Sequence, residues 1–266
     1  MRDNLFIHRA SLQKAVQVTV DFLQSKGYRV PVKQRDPREP KKLEKVKLER
    51  RLQDIFVRRF KEQYTLLKAD YKAVKPKLPK PVHEDYFIEE IITALISGTR
   101  GGVDIFAETV LIGLDYTIPN QKAADWAKKY AFELVKGIDE TTQDVLERAI
   151  SGFVEESGVT LGDIIDTLSP YFGDVRAGMI ATTETTRAFA QGQLEAGKEM
   201  QDEFPDVQVF KRWYTNNDDR VCDICGPLEG QEIPMNDEFE GGISDPPAHV
   251  NCRCWTDYST RVSDGG

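Results

Sequence analysis

Cys222-Asp223-Ile224-Cys225 and, one loop later, His249-Val250-Asn251-Cys252-Arg253-Cys254 contain all four cysteines of this 266-residue chain and one of its three histidines. A Cys-x2-Cys turn aims two sulfurs into one small volume, and a second pair of soft donors arriving from a distant segment completes a tetrahedral metal site. Five donors compete for four places. Cys222, Cys225, His249 and Cys252 are the expected set, with Cys254 as the substitute for His249 or Cys252, because alternate residues of a strand face the same way. Thiolates dominate the set and quench a metal's Lewis acidity, so a structural zinc is expected here, not a catalytic one. The stretch from Met1 to Ala10 lacks the basic flank and apolar run of a signal peptide, so the thiols are expected to be reduced.

The loop between these pairs explains the need for a metal. Gly226-Pro227, Gly241-Gly242 and Pro246-Pro247 punctuate it, and few apolar side chains are available for a core. Structural zinc contributes on the order of 10 kcal/mol to the folding of such segments. Trp213 and Trp255 flank the motif and are expected to pack into its thin apolar core rather than to form a lid over it. Asp218 and Asp219 read as a turn, with Asp219 placed to bond the neighbours of Arg220 or the backbone.

The run Arg212-Trp213-Tyr214-Thr215, then Asp219-Arg220-Val221-Cys222, Leu228-Glu229-Gly230 and Pro247-Ala248-His249, resembles the phage Mu F-like minor head protein family. Ile180-Ala181-Thr182-Thr183-Glu184-Thr185 resembles the Thr-Glu-Thr helix that precedes this module there. The resemblance covers roughly residues 140 to 258. It implies a head-morphogenesis protein of a tailed phage: a minor capsid component assembled in the host cytoplasm, located in the virion at the portal vertex or head interior. Its implied partners are the portal protein and the capsid, with no membrane and no small-molecule substrate.

The rest of the chain reads as mainly helical. The expected fold class is α+β: a helical N-terminal region, then a helix-plus-small-sheet module clipped by zinc. The expected divisions are an arm and hinge over 1–40, a basic amphipathic helix with a Pro/Lys linker over 41–81, a helical core over 82–138, the head-morphogenesis domain over 139–258, and a flexible tail over 259–266. Residues 1–30 alternate in a way that leaves strand and helix both open.

Residues 41–80 hold fourteen Lys or Arg and five Asp or Glu, a net +9 in a chain of net −8, so the remainder sums to −17. Leu48, Leu52, Phe56, Phe60, Tyr64, Leu67, Tyr71 and Val74 recur in steps of three and four, the stripe of one long helix. Its charges fit a solvated face, a helix docking on a partner such as the portal, or phosphate contacts to packaged DNA from Lys41, Lys42, Lys45, Lys47, Arg50, Arg51, Arg58 and Arg59. The metal loop itself carries Arg253 against seven acidic residues, which excludes it as a phosphate reader.

Further on, Gly98-Thr99-Arg100-Gly101-Gly102 reads as a turn breaking a helix. It lacks the Gly-Lys-Ser/Thr ending of a phosphate loop. Helices are expected over Asn120 to Val135, stopped by Gly137, over Asp139 to Glu156, over Thr160 to Leu168 and over Val175 to Met200. After Pro205, alternation predicts a strand, which Ile233 and the Cys252 to Tyr258 stretch would join as a small sheet. Three widely separated histidines and no nucleophile motif argue against an enzyme, and Glu184 with Arg187 reads as a surface ion pair.

Overall fold

A computed structural model describes residues 38–70, 77–110, 114–155 and 168–262, all within the compact unit Asp36–Gly266. The expectations for residues 1–37, for Tyr71 and Val74, for most of the helix over Thr160 to Leu168 and for the tail beyond Val262 lie outside the described residues. The described residues form four long α-helices and one three-stranded antiparallel sheet: α1 (Lys42–Asp70), α2 (Glu84–Thr109), α3 (Thr117–Glu155), a 3₁₀ turn (Ser169–Phe172), α4 (Asp174–Glu203), β1 (Val207–Tyr214), β2 (Glu232–Pro234) and β3 (Trp255–Val262). The class is α+β and mainly helical.

The stripe on α1 does what its period demands. Leu48, Leu52, Phe56, Phe60 and Leu67 are buried and Tyr64 packs against them, joined by Ile55. The helix is therefore integral to the helical core, where it meets α2 and α4. Polar contacts lock it in place. Arg59 is completely buried, with Nη2 3.1 Å from Glu84 at the start of α2 and 2.8 Å from Asp139 in α3, while Gln63 donates to Asp139 at 3.0 Å. One guanidinium thus ties three helices. Removing one member would leave a buried charge uncompensated. The Pro/Lys linker also lies against the core: Leu78 is buried and its N–H donates to Gln143.

Two expected helix boundaries do not exist. Gly98 to Gly102 lies within the continuous α2, because these glycines face α4 and are a contact surface rather than a turn. A Cβ on Gly102 would stand 2.1 Å from the carbonyl oxygen of Phe189, and one on Gly192 of α4 would stand 1.9 Å from that of Thr99. The two backbones touch here, and glycine is the residue that permits it. Gly137 likewise sits inside α3. Its position faces open space, and the helix is carried past it by the buried Val135, Ile138 and Thr142. The loss of helix propensity at one glycine is about 1 kcal/mol, less than the packing of those neighbours supplies. Beyond it Val145 and Leu146 are buried and Ala149 packs on the core.

The sheet has the order β2-β1-β3. Val209, Lys211 and Trp213 alternate onto its buried face. The inward residues include a lysine, which the apolar pattern does not anticipate. Lys211 Nζ donates to the Ser244 carbonyl at 2.6 Å and pairs with Asp245 at 3.2 Å, and Tyr258 donates to the same carboxylate. Burial pushes the Asp245 carboxyl above its ordinary range despite the pull of Lys211. The expected frayed tail is corrected in part. Ser259 to Val262 belong to β3 and pair with Val207 to Phe210, because the buried Tyr258 packs edge-on against Phe106 of α2 at 5.5 Å and anchors the strand to the helices.

The two glycines give opposite expectations. Gly192→Ala should destabilise the fold by about 2–3 kcal/mol or prevent it, as overpacking of a backbone contact does. Gly137→Ala should stabilise it by about 1 kcal/mol. Urea unfolding midpoints of both variants against the parent check the pair.

Candidate metal centre

Two tight turns present the donors. In the first, the N–H groups of Cys225 and Gly226 both bond the Cys222 carbonyl, at 3.1 and 2.9 Å; in the second, the Cys252 N–H bonds the His249 carbonyl at 3.2 Å. Each turn places residues three apart on one side. Asn251 takes a left-handed φ of 66° to close the second turn, a conformation asparagine tolerates.

Cys222, Cys225 and His249 form one converging group, and Cys225, Cys252 and Cys254 another, with donor atoms in each group within 4.8 Å of one another. His249 Nε2 lies 3.1 Å from Cys222 Sγ and 3.2 Å from Cys225 Sγ, and Cys225 Sγ lies 3.8 Å from Cys252 Sγ. A tetrahedral zinc with bonds of about 2.3 Å separates its sulfurs by about 3.8 Å, so the last spacing fits directly. His249 Nδ1 donates to the Val250 carbonyl at 2.8 Å, which leaves the Nε2 lone pair facing the thiols. A small cavity of about 30 Å³ opens among these side chains, room for a single ion.

The acidities tell the same story. Hydrogen bonds from Cys225 and Cys254 hold the Cys252 thiol far below its ordinary value, and the same contacts push the Cys225 and Cys254 thiols up. Three thiols this close cannot all ionise without a cation among them. Burial raises the Cys222 thiol, but the backbone N–H groups of Cys225 and Ile224 outweigh it and the net direction is down. These residues could hold a metal ion.

The centre is built on a core of its own. Trp213, Leu228 and Phe239 are buried with Cys225, Cys252 and Cys254, and Trp213 meets Phe239 edge-on at 5.2 Å. Trp255 stacks on Tyr214 at 5.5 Å. The turn before the first cysteine depends on Asp218 rather than Asp219: Asp218 accepts from the Arg220 N–H and grips Arg253 through two bonds of 2.7 and 2.8 Å. Arg253 is buried, so the loop's one arginine is neutralised within the fold.

Helix α4 carries the centre through its Thr-Glu-Thr run. Thr186 donates to the Cys252 carbonyl at 3.0 Å, and Thr183 Oγ1 accepts from the Asn251 N–H at 2.8 Å. Gln193 adds a bond to the Thr256 carbonyl. The His249-x2-Cys252 turn is therefore seated on the helix by side chains whose hydroxyls single-sequence reading had no reason to aim at it. Glu184 is not a surface residue. It is buried, and Arg187 Nε stands 3.3 Å from its carboxylate as an ion pair without hydrogen-bonding geometry.

Residues 140–256 match the family model of phage Mu protein F like protein. This segment is similar to the phage Mu protein F like family. It takes in the C-terminal part of α3, all of α4, β1 and β2 and the start of β3, whereas α1 and α2, which pack on α4, lie before it. The domain points to a phage head morphogenesis protein, in a family of structural head proteins. Comparison with curated proteins and with solved structures gives no match. Among the described residues no helix is long and apolar enough to cross a membrane.

The basic residues from Lys41 to Arg59, in and just before α1, divide into two groups. Lys45 is buried against Glu39, Arg59 is buried as described, Arg58 pairs with Glu90, and Lys41 pairs with Asp104 and Glu108. Lys47, Arg50 and Arg51 are exposed and Lys42 half-buried.

Burial raises the Glu184 carboxyl above its ordinary value, an effect that Arg187 and Tyr130 only partly offset. A carboxylate whose folded-state pKa lies above its unfolded one supports the fold at low pH and loses that contribution as pH rises through the folded value. Glu184→Gln should therefore gain stability relative to the parent as pH is raised from about 5 toward neutrality. Urea unfolding across that series tests it; parallel curves would refute the assignment.

Proposed function

We propose that this chain is a minor capsid protein of a tailed phage, located at the portal vertex and head interior, whose phage Mu protein F like domain is held by a structural zinc. The observation that carries the reading is the pair of donor groups Cys222/Cys225/His249 and Cys225/Cys252/Cys254, joined at Cys225 and seated on the Thr-Glu-Thr helix, from which Cys222, Cys225, His249 and Cys252 would supply the four ligands. Cys254 adjoins the cluster from the start of the β3 approach and is the alternative fourth ligand. A thiolate-rich set that can fill all four places of a tetrahedral ion, with Cys225 and Cys252 packed beside Trp213, Leu228 and Phe239, supports a structural rather than catalytic role. The implied partners are portal and capsid proteins. Against the alternative of packaged DNA as the main partner stands the use of Lys41, Lys45, Arg58 and Arg59 in ion pairs within the fold; a phosphate contact would fall to Lys42, Lys47, Arg50 and Arg51.

Purified protein should carry one zinc per chain by elemental analysis. A strong chelator should lower its melting midpoint by at least roughly 20 °C or unfold the metal module ahead of the helices, as a loss on the order of 10 kcal/mol implies. An unchanged melt would remove the zinc.

The virion role is checked by quantitative mass spectrometry of washed, DNA-filled particles. A few copies per particle are expected. Detection in the lysate but not in particles would refute it.

A further inference from the structure

Between α1 and α2 a groove of about 500 Å³ opens on the surface, a size suited to a bound side chain or short segment. Its floor is apolar: Leu48 of α1, Ile96 of α2 and, from below, Phe189 of α4. Phe189 reaches the groove because Gly101 has no side chain; a Cβ there would stand 2.5 Å from its ring. The walls are charged. Lys41 closes one end, but its ammonium is already engaged by Asp104 and Glu108. Arg51 and Arg100 are different: both are exposed, both line the groove, and neither has an ion-pair or hydrogen-bond partner among the described residues. Arg100 lies within the stretch that reads as a turn in the sequence, and only the continuous helix brings it to the same groove as Arg51.

We propose that this groove is a docking site for an acidic segment of a partner protein that inserts an apolar side chain between two carboxylates. The charge complementarity is specific. Two free guanidinium groups offer planar forks that carboxylates satisfy bidentately, and the Leu48, Ile96 and Phe189 floor takes an aliphatic or aromatic anchor. Nucleic acid suits the groove less well. A continuous phosphate backbone would leave the apolar floor unfilled. The inference goes beyond the head-protein reading, which leaves the partner's chemistry open, and it does not depend on the metal.

The test is selection of a random peptide-display library on the full-length chain, with binding of the recovered peptides measured by fluorescence anisotropy. Peptides pairing Asp or Glu with Leu, Ile or Phe are expected. They should bind the Arg51→Glu/Arg100→Glu double variant at least roughly tenfold more weakly, and Arg51→Lys/Arg100→Lys only modestly more weakly, since lysine keeps the charge but not the fork. An unchanged thermal melt of each variant is expected, because neither side chain is packed, and it separates lost docking from lost fold. Recovery of no acidic peptides, or equal binding to parent and double variant, overturns the proposal. So does salt-sensitive binding of a DNA duplex that the double variant abolishes while no acidic peptide is enriched. Each of these results is independent of whether the protein is found in particles.

Discussion

The backbone contact between α2 and α4 governs the architecture, because every other element is arranged around the helix it positions. Gly102 and Gly192 let the two helices meet without intervening side chains, at distances where any Cβ would overlap a carbonyl oxygen. With α4 held this close, one part of its surface reaches Leu48 and Phe60 of α1 through the common core, and another presents Thr183 and Thr186 to the metal turn. The same contact sets Phe189 beneath the groove and Met200 against the sheet. A close-packed interior transmits such a constraint, since shifting one helix by the width of a methyl group disturbs all the surfaces it shares.

Charge is handled in two ways along this frame. Inside, the ions come with partners: Arg59 with Glu84 and Asp139, Lys211 with Asp245, Arg253 with Asp218. Each bridges segments distant in the chain. Buried pairs of this kind add little net stability over apolar packing, but breaking one is costly, so they discriminate against misregistered arrangements. Outside, Arg51 and Arg100 have no ion-pair partner among the described residues and lie beside a groove with an apolar floor, the combination expected of a surface that meets another molecule.

The metal turns complete a module with little else to hold it. From Thr215 to Cys254 the chain has a three-residue strand and a short 3₁₀ turn, and its core is Trp213, Leu228 and Phe239 with three cysteines. Four donors from two turns 24 residues apart, from Cys225 to His249, would cross-link this loop much as a disulfide does, while the hydroxyls of α4 fix its orientation on the helical body.

The sequence alone determined what depends on local chemistry and spacing. The Cys-x2-Cys and His-x2-Cys turns, the long α1 with its stripe at steps of three and four, and the β1 strand after Pro205 all follow from residue type and period, and the family resemblance follows from the same motifs. Only the tertiary structure decided what depends on neighbours far along the chain. Gly98 to Gly102 and Gly137 carry a breaker's local signature, and nothing nearby reveals that the first group faces another backbone or that the second lies on a helix held by packing on either side. For Glu184, Lys211 and Arg59, a charged side chain reads as exposed until its partner is known, and those partners stand on other elements. The third dimension likewise assigned Lys45 and Arg59 to the interior and Arg51 to the surface, because a helical period gives the direction of a side chain but not what lies opposite it.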